Sequence, residues 1–294
     1  MSNERLPGHR FSEAEYLQIN PDVNAEVQNG RVDSGWQHFM TFGFRENRGG
    51  VPPDLVGKLK SLFDADLADT LPPAHLRKRV HGAEDAASFQ SIGRAVALDL
   101  FAAVNSTFDL EPHSKVLDFG CGSGRVLNFF HKLCGDCTFF GTDIDDEAIA
   151  WCQQQMSHVG TFSSNRVMPP LQYEASFFDF VFSISIFTHL PEEMQFAWLA
   201  ELGRVTKRGG YLILTTHGED IIQPFPEHLK RIFNKKGFYY HVGEETEGLP
   251  AFYQTSFHTE DYIHKVWGKY FEIVKIIRKG IVGHQDMVIC RKKP

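Results

Sequence analysis

Val116-Leu117-Asp118-Phe119-Gly120-Cys121-Gly122-Ser123-Gly124 is the stretch whose reading decides the fold. Four residues of mainly apolar character predict a short buried strand, and three glycines at alternate positions predict a tight loop. Glycine there lets the backbone turn sharply and approach a ligand closely. The loop opens a helix over Val126 to Leu133, and its free N–H groups would suit an anion or a polar cofactor.

The alternation continues outward from that unit. Thr138 to Thr142 reads as a second strand and Glu147 to Met156 as the helix after it. Phe178 to Ile184, apolar and bounded by an acidic turn, predicts a central parallel strand. Pro191 to Val205 is an amphipathic helix with Pro at its start, where the fixed φ is tolerated. Lys207-Arg208-Gly209-Gly210 ends it, and Tyr211 to Thr216 is another strand. Strands and helices in this order imply a doubly wound α/β sheet, mostly parallel and covered on both faces.

Past Thr216, residues 217–258 read as irregular and rich in aromatics and histidine. Thr259 to Trp267 then predicts a helix. Phe271 to Ile277 and Asp286 to Cys290 are two final strands, joined by Lys279 to Gly283 and placed to pair antiparallel.

Upstream, residues 1–50 read as a small helical module, with helical spacing over Glu13 to Ile19 and Gly35 to Phe42. Trp36, Phe39 and Phe42 are expected to form its miniature core. Gly49-Gly50 and Pro52-Pro53 mark a linker, and residues 54–69 and 84–106 have helical spacing. The expected organisation is a module over 1–50, linker and helix over 51–83, and a main domain over 84–294. A lid over the acceptor site is expected at about 217–258.

The net charge of −7 disfavours a general nucleic-acid binder, which needs a basic face. Leu76-Arg77-Lys78-Arg79 is short and reads as solvated charge. No apolar run approaches membrane-spanning length, and the start has no apolar leader segment, so no membrane association is expected. Five cysteines, an odd number, fit a reduced cytoplasmic chain. Cys134 and Cys137 form a C-x-x-C pair without the second pair a zinc site needs, so no metal is expected. The 26 phenylalanines are best read as core, with an aromatic substrate cage as the alternative.

Two features sharpen the glycine loop. A dinucleotide fingerprint requires a third glycine where this chain has Arg125, so the spacing is G-x-G-x-G. Asp118 ends the strand just before it; a carboxylate there repels a pyrophosphate but attracts the ammonium of a methionine moiety. That mismatch favours S-adenosylmethionine over a dinucleotide. Asp143 lies 19 residues past Gly124 and ends the second strand, where an acidic side chain can accept from both ribose hydroxyls. Ile144 is placed to pack on an adenine face, while Asp146 and Glu147 suit a helix N-terminus.

These residues resemble the class I, seven-stranded, Rossmann-like S-adenosylmethionine-dependent methyltransferases of small-molecule type. Val116 to Gly124 is similar to the first motif of that family and Thr142-Asp143-Ile144-Asp145 to its ribose motif. Phe178 to Leu190 is similar to the fourth-strand motif. Arg204 to Gly210 resembles the turn before strand five, with Arg208 where the family usually has Pro. The resemblance implies seven strands with the last antiparallel. It assigns cofactor binding to Asp118, Gly120, Cys121, Gly122, Gly124, Asp143, Ile144 and Ser183. The segments Gly248 to His258 and Gly283 to Asp286 resemble one subgroup of small-molecule or unassigned members. The N-terminal module resembles one that recurs ahead of bacterial methyltransferase and glycosyltransferase domains.

Ligands in open α/β sheets bind outside the carboxyl ends of the strands. This puts residues 183–189 and His217 near a transferable methyl. His189 and His217 are the candidate bases, needed only where the acceptor must shed a proton; His189 reads equally well as a structural element of its loop. Tyr253, Gln254, His258 and His241 are candidate acceptor contacts, with Glu244 and Glu245 in the same loop. The expected acceptor is small: a sugar or similar hydroxyl, an amino-acid amine, or a thioether sulfur. A non-catalytic cofactor-binding or scaffold protein is the alternative. A homodimer through the undersized N-terminal module is also expected.

Overall fold

The computed structural model describes residues 11–32, 34–64, 71–243 and 250–293. It divides into two compact units, one of Met1–Asp66 with Leu100–Asp109 and one of Leu67–Asp99 with Leu110–Pro294.

In the first unit, α1 (Glu13–Ile19) begins where the Ser12 side chain accepts the Glu15 amide, and α2 (Pro21–Gln28) starts on a proline. The Ser34 hydroxyl caps α3 (Gly35–His38), which runs on as a π-helical turn over Phe39–Gly43. The fourth helix, α4, covers Pro53–Asp64. Phe11 and Tyr16 pack with ring centroids 5.1 Å apart and planes tilted by 42°, and Trp36 meets Phe11 edge-on at the same distance. Phe39 is fully enclosed beside them. Phe42, by contrast, is 51% exposed and stands outside the core expected for it, because the π-turn rotates it away from Phe39.

The second unit contains α5 (Ala74–His81) and most of α6 (Ala86–Thr107), whose residues from Leu100 onward belong to the first unit. By length and mean hydropathy, α6 is long and apolar enough to cross a membrane. Its Phe89, Val96, Ala97 and Leu100 are buried inside the protein. The alternating part follows as β1 (Lys115–Phe119), α7 (Leu127–Leu133), β2 (Thr138–Asp143), α8 (Asp146–Gln155) and β3 (Thr161–Ser164). It continues as β4 (Phe178–Ser183), α9 (Glu192–Val205) and β5 (Thr206–Thr216). Then come α10 (Glu227–Lys236), β6 (Phe238–His241), β7 (Thr255–His258), α11 (Glu260–Val266), β8 (Phe271–Ile281) and β9 (Gln285–Lys292).

Seven strands form one sheet in the order β3-β2-β1-β4-β5-β9-β8, the last strand lying antiparallel between β5 and β8. Seven strands with the last antiparallel is what the sequence implied. β1 sits centrally, with Asp118 level with Gly141 of β2 and Phe182 of β4. That register delivers the carboxyl ends of β1, β2 and β4 to one edge, where the glycine loop emerges.

The sheet's centre explains the phenylalanine count. Phe130, Phe178, Phe180 and Phe182 are all fully enclosed around β4, with Phe130 and Phe182 rings 5.4 Å apart. Each such side chain contributes about 1.5–3 kcal/mol of burial.

Three details differ from the sequence-based expectation. Lys207 to Gly210 does not merely end α9: it is the bulged start of β5, where Gly210 presses against the Asp179 carbonyl and Lys207 pairs with the Asp179 carboxylate at 2.7 Å. The strand β3, only four residues long, has no separate signal in the sequence. Residues 217–258 are not irregular, since they hold α10 and the antiparallel β6–β7 ribbon. Glu244 and Glu245 lie outside the described residues.

Candidate active site

The loop after β1 is held by its own amides. Gly120 and Cys121 both donate to the Thr142 carbonyl, at 2.8 and 3.1 Å. The Gly122 amide donates to Asp143 Oδ2 at 2.8 Å, and Gly124 donates to the Cys121 carbonyl. Four N–H groups expected to be free are therefore engaged, which leaves fewer donors for a pyrophosphate. Gly120 and Gly122 have φ of +82° and +52°, and side chains press on both: Ile186 occupies the Cβ position of Gly120, and Val80 comes within 2.7 Å of that of Gly122. Neither position accepts an L side chain without displacing its neighbour.

A cavity of about 650 Å³ opens over this loop. Asp118, Gly120, Cys121, Gly122, Asp143 and Ile144 line it, as expected for cofactor contacts. Asp118 is 2% exposed, and its Oδ2 has no partner. Burial drives its carboxyl well above the usual range, the like charge of Asp143 adds to this, and Arg125 opposes it. Asp143 is raised too, by burial first, against the lowering effect of amides from Asp145 and Gly122 that its carboxylate accepts. Cys121 is buried with its thiol pushed up, so it is a neutral wall and not a nucleophile.

The acidic residues after Asp143 have another use. Asp145 caps α8 by accepting the Glu147 and Ala148 amides, and its carboxylate also receives Arg79 at 2.9 Å. Arg79 reaches Glu147 at 2.8 Å as well, and His75 joins the same carboxylate. The basic stretch read as solvated charge thus anchors α5 to the start of α8, and Arg79 and Val80 line the cavity. Asn165, which accepts the Thr142 hydroxyl at 2.8 Å, is a further wall residue. No motif flagged Arg79, Val80 or Asn165; only the adjacency of an exposed basic run to an acidic helix start carried a hint.

Two residues expected at the cofactor stand behind the cavity wall. Ser183 is fully buried and donates to the Phe119 carbonyl at 2.8 Å, tying β4 to β1. Gly124 packs against Met156 and Cys152 of the α8 layer. Both support the loop from below.

The far wall of the cavity is built around Ser185, which has φ of +61°. Its amide donates to Thr215 Oγ1 at 2.8 Å, its hydroxyl accepts from Gln285 at 2.7 Å, and its carbonyl accepts the Tyr253 hydroxyl at 3.0 Å. Three bonds, from β5, β9 and the loop before β7, offset the cost of that backbone conformation, the kind of stored strain found at functional sites. Ile186, Leu190, Met194, Pro250 and Phe252 complete an apolar surface beside Tyr253.

The histidines stand outside the cavity. His189 stacks on the Tyr253 ring at 4.1 Å and 19°, and its Nδ1 faces the Gln254 carbonyl. His217 is 8% exposed, between His189, Phe257 and His284, and burial together with those two imidazoles drives it down to about 3. His258 is enclosed, bonded to Gln195 at 2.8 Å, and driven by burial to about 3. Gln254 spends its amide on Ala251 and Gly243. His241 ends β6 with its ring edge-on to Phe225. Of the expected acceptor contacts, Tyr253 alone lines the cavity; the other side chains are turned into packing by the β6–β7 ribbon.

Residues 116–210 match the family of methyltransferase domains. The chain carries a class I methyltransferase domain. Its cofactor is S-adenosylmethionine. Among solved structures, the chain is similar to the 1,6-didemethyltoxoflavin-N1-methyltransferase of Burkholderia thailandensis, bound there to 1,6-didemethyltoxoflavin and S-adenosylhomocysteine. The identity is 17%, covering 79% of this chain and 93% of that one, with a TM-score of 0.51. It is also similar to an S-adenosylmethionine-dependent methyltransferase of Methanosarcina mazei at 21% identity, over 63% of this chain and 94% of that one, TM-score 0.48.

The methyltransferase domain fits this cofactor on its own residues. The orphaned Asp118 oxygen suits an ammonium, the Asp143 carboxylate suits vicinal hydroxyls, and Ile144 offers an apolar face. The amides of Gly120, Cys121, Gly122 and Gly124 are spent within the fold and are not offered to a diphosphate.

Proposed function

We propose that this methyltransferase domain acts on a small polar acceptor held against Ser185, Phe252 and Tyr253. The carrying observation is that the cavity over the cofactor loop continues without interruption to the apolar wall at those residues. Its volume of about 650 Å³ suits small ligands rather than a polymer. When bound, S-adenosylmethionine supplies an electrophilic methyl group on a sulfonium. The protein's task is then orientation of the acceptor and exclusion of water, which together account for much of the acceleration of such a displacement.

Asp118 and Asp143 hold the cofactor in this reading, and Ser185 and Tyr253 orient the acceptor. The Tyr253 phenol is pushed above its ordinary value, first by burial, so it stays protonated and donates. His189 is a positioning residue that fixes the Tyr253 ring by stacking, and His217 backs it. Among the described residues, none at this wall is poised to take a proton near neutral pH. That supports, within the hydroxyl, amine and thioether classes, an acceptor that arrives with a free lone pair, such as a thioether sulfur.

Action without a nucleic-acid partner agrees with the net charge of −7. Self-association through the first unit is supported by Ile19, Phe42 and Phe63, which are 52%, 51% and 40% exposed.

The test is a methyl-transfer screen over thioethers, amino acids and sugars, read by product mass. Transfer to at least one class is expected. Absence of transfer across the panel, with cofactor binding intact, favours the second reading: a non-catalytic cofactor-binding protein.

A further inference from the structure

None of Gly283 to Asp286 lines the cavity, yet Gln285 acts on it through Ser185. Asp286 accepts the Lys279 amide at 2.8 Å and pairs in register with Thr216 of β5, which fixes the start of β9. Gln285, 100 residues along the chain from Ser185, donates its Nε2 to the Ser185 hydroxyl oxygen at 2.7 Å. Its own Oε1 is shut from solvent without a partner. The reverse amide orientation would orphan N–H groups instead of a carbonyl oxygen, the costlier arrangement.

Ser185 is thereby left as a donor. Its amide is spent on Thr215, its carbonyl accepts from Tyr253, and its hydroxyl oxygen accepts from Gln285. A hydroxyl that accepts keeps one proton to give. Among the described residues that proton has no acceptor, and Ser185 lines the cavity.

The surroundings of that donor are apolar. The β4–α9 connection, α9 and residues 250–253 bring Ile186, Leu190, Met194 and Phe252 to the cavity, and none of these segments lines it with a charged side chain. The polar atoms beside them are spent: the Tyr253 hydroxyl donates to the Ser185 carbonyl at 3.0 Å, and Trp198 Nε1 donates to the Val167 carbonyl at 3.2 Å. The charged lining residues belong to α5, to the start of α8, or to the glycine loop and the strand ends beside it. A charged group entering the apolar wall would lose its water without gaining a partner, and a polyol would find one donor for many hydroxyls.

We propose that the acceptor is uncharged and apolar apart from one lone-pair oxygen or nitrogen beside the atom that is methylated, and that Gln285 selects it by holding the Ser185 hydroxyl as a donor. This rests on the reading that Ser185, Phe252 and Tyr253 face the acceptor. Within that reading it sets aside zwitterionic amino acids and sugars. Gln285 is a positioning residue, since it touches the acceptor only through Ser185.

The test uses three thioethers of similar size as probes. Methylthiobutanone carries a ketone oxygen, methylthiopropionate is its carboxylate counterpart, and butyl methyl sulfide lacks the oxygen. Each is titrated by ligand-observed NMR into wild-type protein saturated with S-adenosylhomocysteine. Methylthiobutanone is expected to bind about tenfold or more tighter than methylthiopropionate, because the carboxylate has no partner at this wall. Its advantage over butyl methyl sulfide is expected to be about threefold or more, as one neutral hydrogen bond warrants. Ser185→Ala is expected to abolish that second preference with affinity for S-adenosylhomocysteine unchanged; Ser185→Gly, which suits the positive φ, serves if the alanine variant does not fold. Gln285→Glu is expected to abolish it as well, because the carboxylate accepts where the amide donates and captures the Ser185 proton.

Equal or tighter binding of methylthiopropionate overturns the proposal. So does a preference for the ketone over butyl methyl sulfide that is missing in wild type or survives in the Ser185 and Gln285 variants, and so does binding of none of the probes. The expected binding order without any methylated product from S-adenosylmethionine removes the catalytic reading instead and leaves this one standing.

Discussion

The Asp143 carboxylate accepts the Gly122 amide at 2.8 Å and the Asp145 amide at 2.9 Å, so the end of β2 and the glycine loop share one anchor. The residue expected to bind ribose hydroxyls is thus also a brace for the loop that shapes the cavity. Asp143→Ala removes both functions. Calorimetry with S-adenosylhomocysteine is expected to show affinity lower by roughly 10- to 100-fold, as the loss of one or two charge-assisted bonds predicts. Undiminished binding would remove Asp143 from the site.

Asp118 links cofactor binding to protons. Its carboxyl is raised in the free protein by burial and by Asp143, and an incoming ammonium favours the ionised form. Affinity for S-adenosylhomocysteine should weaken as pH falls through the raised value, with proton release on binding in that range. Calorimetry in buffers of different ionisation heat measures the proton count. Asp118→Asn should bind weakly at every pH and release none; a pH-independent wild-type affinity would contradict the argument.

Tyr253→Phe deletes the bond to the Ser185 carbonyl and leaves the stack on His189. Turnover should fall about tenfold, while affinity for S-adenosylhomocysteine stays within about threefold of wild type. A proportionate loss of both would assign Tyr253 to the cofactor instead.

His217 and His258, both driven to about 3, make stability depend on acid. Each stays neutral in the folded chain while the unfolded chain binds a proton near pH 6.5. Their contribution is therefore complete above about pH 6.5 and is lost as pH falls toward 3, by up to about 1.4 kcal/mol per pH unit per histidine. Asp118 acts in the opposite sense, because a raised carboxyl gains relative stability in acid. Urea titrations of wild type and His258→Phe between pH 5 and 7.5 separate the two; identical pH slopes would show that His258 is not buried neutral.

The fold was legible where local signals agree. β1, its glycine loop, β2 and α9 pair apolar runs with glycine or proline punctuation, and each lies within a residue or two of its expected span, as do α11 and β8–β9 apart from β8's longer C-terminal end. The acidic residues of the cavity were legible because Asp118 and Asp143 sit at strand ends, where position in the chain fixes position in space. The acceptor wall was not. His189 and His217 lie close to the right place along the chain, but Tyr253, brought in by a ribbon of high sequence separation, covers them. Arg79, expected as solvated charge, is tethered for a related reason: its partners Asp145 and Glu147 are more than sixty residues away, and a short basic run has no signature that separates a tethered helix from a solvated one.

The measurement that tests the account most directly is calorimetric titration of the wild-type chain with S-adenosylhomocysteine and, separately, with NAD. The account predicts one saturable site for S-adenosylhomocysteine and no binding heat for NAD, because the amides of Gly120, Cys121, Gly122 and Gly124 are engaged within the fold. Binding of NAD, or no binding of S-adenosylhomocysteine, would contradict it.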